Sequence, residues 1–75
     1  MKLETRKFEN IHGRKPRGFG FWMFEVTIET TKRGDMVTTT LTDSGNLSEA
    51  KKKASDKALL KVPNAKKVTR ISVLA

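Results

Sequence analysis

Lys53, Lys57 and Lys61 recur at every fourth position, with Lys51 and Lys52 just before them and Lys66, Lys67 and Arg70 soon after. Ammonium groups repeated along one helical stripe can each neutralise a phosphate and release its counterions. Affinity of that kind falls steeply with salt and carries little sequence information. A merely solvated helical face would intersperse acids for i,i+4 pairing, and here only Glu49, four residues before Lys53, and Asp56 are available. A second basic cluster, Arg14, Lys15 and Arg17, lies in the segment His12 to Gly18. Immediately after it come Phe19, Phe21 and Met23, which share one face of a strand pattern and offer surface for base stacking or for a partner's side chains.

Other chemistries find few materials. The chain has no cysteine, its one imidazole (His12) stands among Gly and Pro, no serine has a nucleophile's setting, and the acids are scattered singly. No catalytic residue, metal site or cofactor is expected from such a set. The longest apolar run, Phe19 to Phe24, is broken by Gly20 and is far short of the ~20 residues that a membrane span needs. Nothing apolar follows the first basic residue as it would in a secretion signal, and together with the lack of cysteine this suggests a cytoplasmic protein.

The chain of 75 residues carries 16 Lys and Arg against 8 Asp and Glu, a formal charge of +8. That surplus is not spread evenly. Residues 1–50 hold eight bases and seven acids, whereas residues 51–75 hold eight bases and Asp56 alone. A large and localised charge attracts polyanions and steers their approach. Disulfides and structural zinc are missing as supports for a fold of this size, so one small core must suffice. A single domain spanning 1–75 is expected.

The elements that must position these residues follow from periodicity. Residues 1–11 alternate in the manner of a short edge strand with Phe8 or Ile11 turned inward, and 12–18 form the basic loop. From Phe19 to Thr31 the period is two, with Trp22, Phe24, Val26 and Ile28 on the core side and Phe21, Met23, Glu25, Thr27 and Glu29 on the other. Thr31 to Asp35 is a turn with Gly34 available for its left-handed position. Met36 to Thr42 forms the second arm of a hairpin with Val37, Thr39 and Leu41 inward.

Asp43 to Asn46 reads as a loop, with Asn46 or Ser48 capping a helix from about Ser48 to Lys61. In that helix Leu47, Ala50, Ala54, Ala58 and Val62 form a narrow stripe of small residues that can sit close on a sheet. Leu59 and Leu60 fall off the stripe and are expected to pack at the helix end, where Pro63 and Asn64 stop it. Val68 to Ala75 reads as a returning strand with Thr69, Ile71 and Val73 inward. The order (β)-β-β-α-β predicts a small two-layer α+β sandwich: a three- or four-stranded, mainly antiparallel sheet with one helix on one face and the other face open.

Phe24 to Leu60, about half the chain, resembles the strand, hairpin and helix half of double-stranded RNA-binding domains. The helix reads Ala50-Lys51-Lys52-Lys53-Ala54-Ser55-Asp56-Lys57-Ala58-Leu59. Ala50, Lys51, Ala54, Ala58 and Leu59 match that family's pattern, while Ser55 replaces an alanine and Ser48 and Glu49 stand where lysines are usual. The resemblance implies alanines packed on the sheet and lysines near the helix N-terminus meeting phosphates. The same shape is similar to the arm-DNA-binding domains of tyrosine recombinases, where the sheet enters the major groove. The run Arg17-Gly18-Phe19-Gly20-Phe21-Trp22-Met23-Phe24 also resembles, over those residues alone, the aromatic strand of RNA-recognition motifs, in which outward rings stack on bases.

The expectation is therefore a small non-enzymatic protein that binds nucleic acid, DNA or RNA, through Lys51, Lys52, Lys53, Lys57, Lys61, Lys66, Lys67 and Arg70, with Arg14, Lys15 and Arg17 in support. The alternative is a protein-interaction module or small regulator. It would offer its basic helix to an acidic partner, or its open sheet face, with Phe19, Phe21 and Met23, to another chain or to a second copy in a homodimer.

Overall fold

The computed structural model describes residues 3–74, so the expected strand's Met1, Lys2 and Ala75 ends lie outside the described residues. Its elements are β1 (Leu3–Glu4), α1 (Arg6–His12), β2 (Phe19–Thr30), β3 (Met36–Asn46), α2 (Leu47–Lys61) and β4 (Ala65–Val73). The sheet order is β1-β4-β2-β3, with β1 parallel to β4 and the other pairs antiparallel. This is the expected α+β sandwich, mixed at one edge and with a second helix.

The core lies between α2 and one sheet face, hereafter the inner face. Trp22, Phe24, Val26 and Ile28 of β2 and Ile71 and Val73 of β4 are buried against Ala50, Ala54 and Ala58, with Leu41 and Leu47 packed beside them. Those alanines have no exposed surface, so the helix backbone approaches the sheet closely. Burial of this apolar surface, at about 25 cal/mol per Å², is the main favourable contribution in a domain without cross-links. Asn46 caps α2 by accepting the Glu49 backbone N–H at 2.9 Å. Lys61 is the last helical residue, and Asn64 takes a left-handed φ of 60° before β4 begins.

Four expectations are corrected. The N-terminal segment is mostly helix: α1 occupies Arg6–His12, and Gly13 at φ 69° closes it by donating its N–H to the Glu9 carbonyl. Seven residues with only Phe8 buried show too little of the helical period to be told from alternation. Phe8 nevertheless joins the main core, with its ring 5.8 Å from that of Trp22.

Asp43 to Asn46 is strand, not loop. The start of β2 holds it in register, Phe19 opposite Asn46 and Trp22 opposite Asp43, and the Trp22 indole Nε1 donates to the Gly45 carbonyl at 3.1 Å. Tertiary pairing overrides a turn-like composition. β4 begins at Ala65 and its register shifts between its pairings with Thr27 and Ile28. Val68 therefore stands opposite Ile28 and Arg70 opposite Thr27, while Thr69 falls at the irregularity between them and loses its expected inward place. Lastly, Leu59 and Leu60 do not pack at the helix end: both are exposed, Leu60 by 87%.

Candidate nucleic-acid interface

The fold distributes the expected basic residues over three places. Lys51, Lys52, Lys53, Lys57 and Lys61 lie on α2, above the inner face of the sheet. Arg70 opposes Thr27 and Lys67 opposes Glu29, both outward positions of β2, so these two β4 bases belong to the outer face. Arg14, Lys15 and Arg17 stand in the loop that leads into β2, and all three are exposed. Since Phe19 pairs with Asn46, the residue that caps α2, this loop lies at the same end of the sheet as the N-terminal turns of the helix. Lys61 and Lys66 lie toward the opposite end, with Val62, Pro63 and Asn64 beside Lys32 and Asp35 of the β2–β3 turn.

The bases also differ in what they already hold. Lys57 donates to Asp43 Oδ1 at 2.7 Å, and the Asp43 side chain is only 5% exposed on the inner face of β3. Asp43 Oδ2 is buried without a hydrogen-bond partner among the described residues, so this carboxylate depends on the one ammonium. Arg70 Nε lies 2.9 Å from Glu4 Oε2, Lys66 Nζ 3.4 Å from Glu29 Oε2, and Lys7 Nζ 3.0 Å from Glu25 Oε1. Lys53 Nζ reaches the Ser44 carbonyl at 3.5 Å. Among the described residues, Lys15, Arg17, Lys52, Lys61 and Lys67 form no ion pair and are exposed.

Among the described residues, these four ion pairs set four of the chain's eight acids against four of its sixteen bases. Three of those acids, Glu4, Glu25 and Glu29, are on or beside the outer face, where each is neutralised locally. A polyanion approaching that face meets paired carboxylates, whose repulsion is correspondingly weak.

The aromatic residues are placed as the strand period demands. Phe19 and Phe21 are 82% and 80% exposed, and Met23 beside them is 40% exposed. Neither ring fills a second core beneath the N-terminal segment, because Phe8 of α1 packs toward Trp22 instead. Phe8 and His12 of α1 border this surface, a neighbourhood that a helix of seven residues is too short to disclose in the sequence. The Phe8 and His12 rings lie 4.3 Å apart, and the Arg14 guanidinium sits over Phe8 at 5.5 Å from its centroid. Among the described residues no helix is long and apolar enough to cross a membrane. Among the described residues no group of three or more His, Asp and Glu is placed to hold a metal ion.

Compared with protein-family models, curated proteins and solved structures, the chain shows no match.

Proposed function

We propose that this protein binds nucleic acid without catalysing a reaction on it, using the α2 lysines and the Arg14-Lys15-Arg17 loop to contact phosphates. The observation that carries the reading is the disposition of charge: four acids are tied up in ion pairs, and exposed bases without carboxylates concentrate at the helix and the neighbouring loop. Lysines on a helix are mobile point charges that suit a phosphate backbone better than a planar carboxylate. Lys52 and Lys53, in the first half of α2 and at the same end as the loop, are the natural first contacts.

Titration with a short duplex across a series of salt concentrations tests this. The logarithm of the association constant should fall linearly with the logarithm of salt, with a slope of about −0.9 for each phosphate neutralised. Lys52→Glu with Lys53→Glu should remove most of the affinity and leave the circular dichroism spectrum unchanged. Absence of binding at low salt, or binding indifferent to salt, refutes the reading. Lys57 is a poorer site for this test than its sequence position suggests, because its substitution strands Asp43.

A second reading is favoured by a separate observation. Phe19, Phe21, Met23 and Met36 are all exposed on the outer sheet face, and β3 is an edge strand of eleven residues. A protein-interaction module, including a homodimer joined through that face or edge, would use them. Sedimentation that finds only monomer at micromolar concentration removes the homodimer.

A further inference from the structure

Where β2 begins, the chain forms an open cleft of about 270 Å³ whose lining includes His12, Arg14, Arg17, Phe19, Phe21 and Trp22. We infer that this cleft takes an unpaired nucleotide of a single-stranded nucleic acid, with bases stacked on Phe19 and Phe21 and the phosphate held by Arg14 and Arg17. The inference rests on the nucleic-acid reading above and adds to it a ligand form and a second contact surface.

Three observations converge on a ligand that is both flat and anionic. First, Phe19 and Phe21 are among the most exposed large apolar residues described, and they stand on the face of β2 away from the main core while still lining the cleft. Two residues apart on one strand face, their Cα atoms are separated by about 6.7 Å, so successive rings can each serve one base of an extended strand. Second, the lining carries two guanidiniums and an imidazole and no carboxylate. An apolar protein segment laid on the rings would desolvate those guanidiniums without pairing them, which is costly. A nucleotide supplies the π surface and the negative charge together. Third, the cleft is held from beneath. Phe8 is buried against Trp22, Arg14 is poised over the Phe8 ring, and Gly13 ends α1 in a left-handed turn that starts the basic loop.

Glu25 lies farther along the outer face and is paired with Lys7 at 3.0 Å, which weakens its opposition to a phosphate. Gly20 stands between the two rings in sequence, and a Cβ built there meets nothing within 4 Å. Gly20 lines the cleft and shares the strand face of Trp22, so a side chain at this position would occupy the Trp22 side of the cleft, opposite the rings, without disturbing the packing. Paired bases inside a duplex have no free face to offer the rings, so the cleft discriminates between single strands and duplexes even though both carry phosphates.

Trp22, the chain's one tryptophan, lies in the cleft wall and reports on occupancy. The experiment titrates a short oligothymidylate, and separately a duplex of equal length, into the protein at low and physiological ionic strength while Trp22 fluorescence and oligonucleotide anisotropy are read. Oligothymidylate should change the Trp22 emission and duplex should not. Phe19→Ala with Phe21→Ala should weaken oligothymidylate by roughly 5- to 150-fold per ring while duplex affinity stays within about twofold. Gly20→Leu, which leaves both rings in place, should weaken the single strand selectively as well.

If duplex binds and oligothymidylate does not, or if neither variant alters single-strand affinity, the inference falls and the nucleic-acid reading stands. If neither oligonucleotide binds, both fall. If polyglutamate binds with the same dependence on Phe19 and Phe21 as oligothymidylate, the cleft recognises anions on a protein chain and the inference is overturned.

Discussion

Replacing Lys57 by Met removes the ammonium that pairs with a buried carboxylate. Asp43 is 5% exposed in its side chain, its Oδ1 accepts from Lys57 at 2.7 Å, and its Oδ2 has no partner among the described residues. An exposed ion pair contributes about 0.2–1 kcal/mol, and breaking a fully buried one costs about 3–5 kcal/mol. Here the carboxylate is buried while the ammonium is 57% exposed, so water can follow the lost charge only partway. The expected cost is about 2 kcal/mol, intermediate between those limits. For a domain of this size that corresponds to a fall in Tm of roughly 8–16 °C.

Urea and thermal unfolding followed by far-ultraviolet circular dichroism and Trp22 emission would measure it. Lys52→Met, at an exposed position on the same helix without an ion pair, should stay within about 0.5 kcal/mol of the parent protein and serves as the control. Asp43→Leu combined with Lys57→Met should recover stability to within about 1 kcal/mol of the parent, because a paired charge is replaced by packing rather than left half complete. If Lys57→Met is as stable as Lys52→Met, Asp43 is not held by Lys57 and the argument fails. The same pair bears on function, since an ammonium committed to Asp43 has less to give a phosphate. Lys52→Met should therefore flatten the salt dependence of duplex binding more than Lys57→Met does.

Two further expectations concern the helix that carries the bases. Asn46→Ala deletes the acceptor for the Glu49 N–H and should cost about 1 kcal/mol in urea unfolding, with Asn46→Asp restoring most of it. Ala54→Leu forces a larger side chain into a position with no exposed surface between α2 and the sheet. It should cost about 1–3 kcal/mol or more in the same assay, whereas Leu60→Gln, at a side chain 87% exposed, should be nearly neutral.

The parts of the fold that were legible in the sequence are those with enough repeats to establish a period. From Phe21 to Thr30 every second residue of β2 is buried and those between are exposed or half-buried, and the Leu47, Ala50, Ala54, Ala58 stripe recurs through about three turns of α2. Gly34 in the hairpin turn has φ 71°, a conformation for which glycine is the usual choice. What was illegible depends on partners distant in sequence. Nothing local in Asp43-Ser44-Gly45-Asn46 says strand; Phe19 to Trp22 across the ladder and the Trp22 indole hold it there. The shift in β4 likewise exists only against β2, and it moves Val68 opposite Ile28. α1 is too short to display helical spacing, and its single buried contact, Phe8, serves equally well in a strand pattern.

Charge raises a different difficulty from periodicity, because it sums along the chain but acts in space. The stretch from Lys51 to Arg70 is continuous in sequence, yet the sheet separates it: α2 covers the inner face, and Lys67 and Arg70 face outward with Glu29 and Glu4 nearby. Bases far apart in sequence are brought to one end instead, since the Phe19–Asn46 pairing sets the Arg14-Lys15-Arg17 loop beside the start of α2. The ion pairs carry the argument a step further. Arg70, Lys66 and Lys7 each neutralise a carboxylate on or beside the outer face, and Lys57 supports a buried one. These four bases act first as structural counterions. Of the bases left over, Lys52 on the helix and Lys15 and Arg17 in the loop flank the end of the sheet where Phe19 and Phe21 are exposed, whereas Lys61 and the turn residue Lys32 lie toward the other end. Under the proposed reading, a polyanion held by those three bases would also meet aromatic surface, a juxtaposition that neither the charge count nor the aromatic run implies by itself.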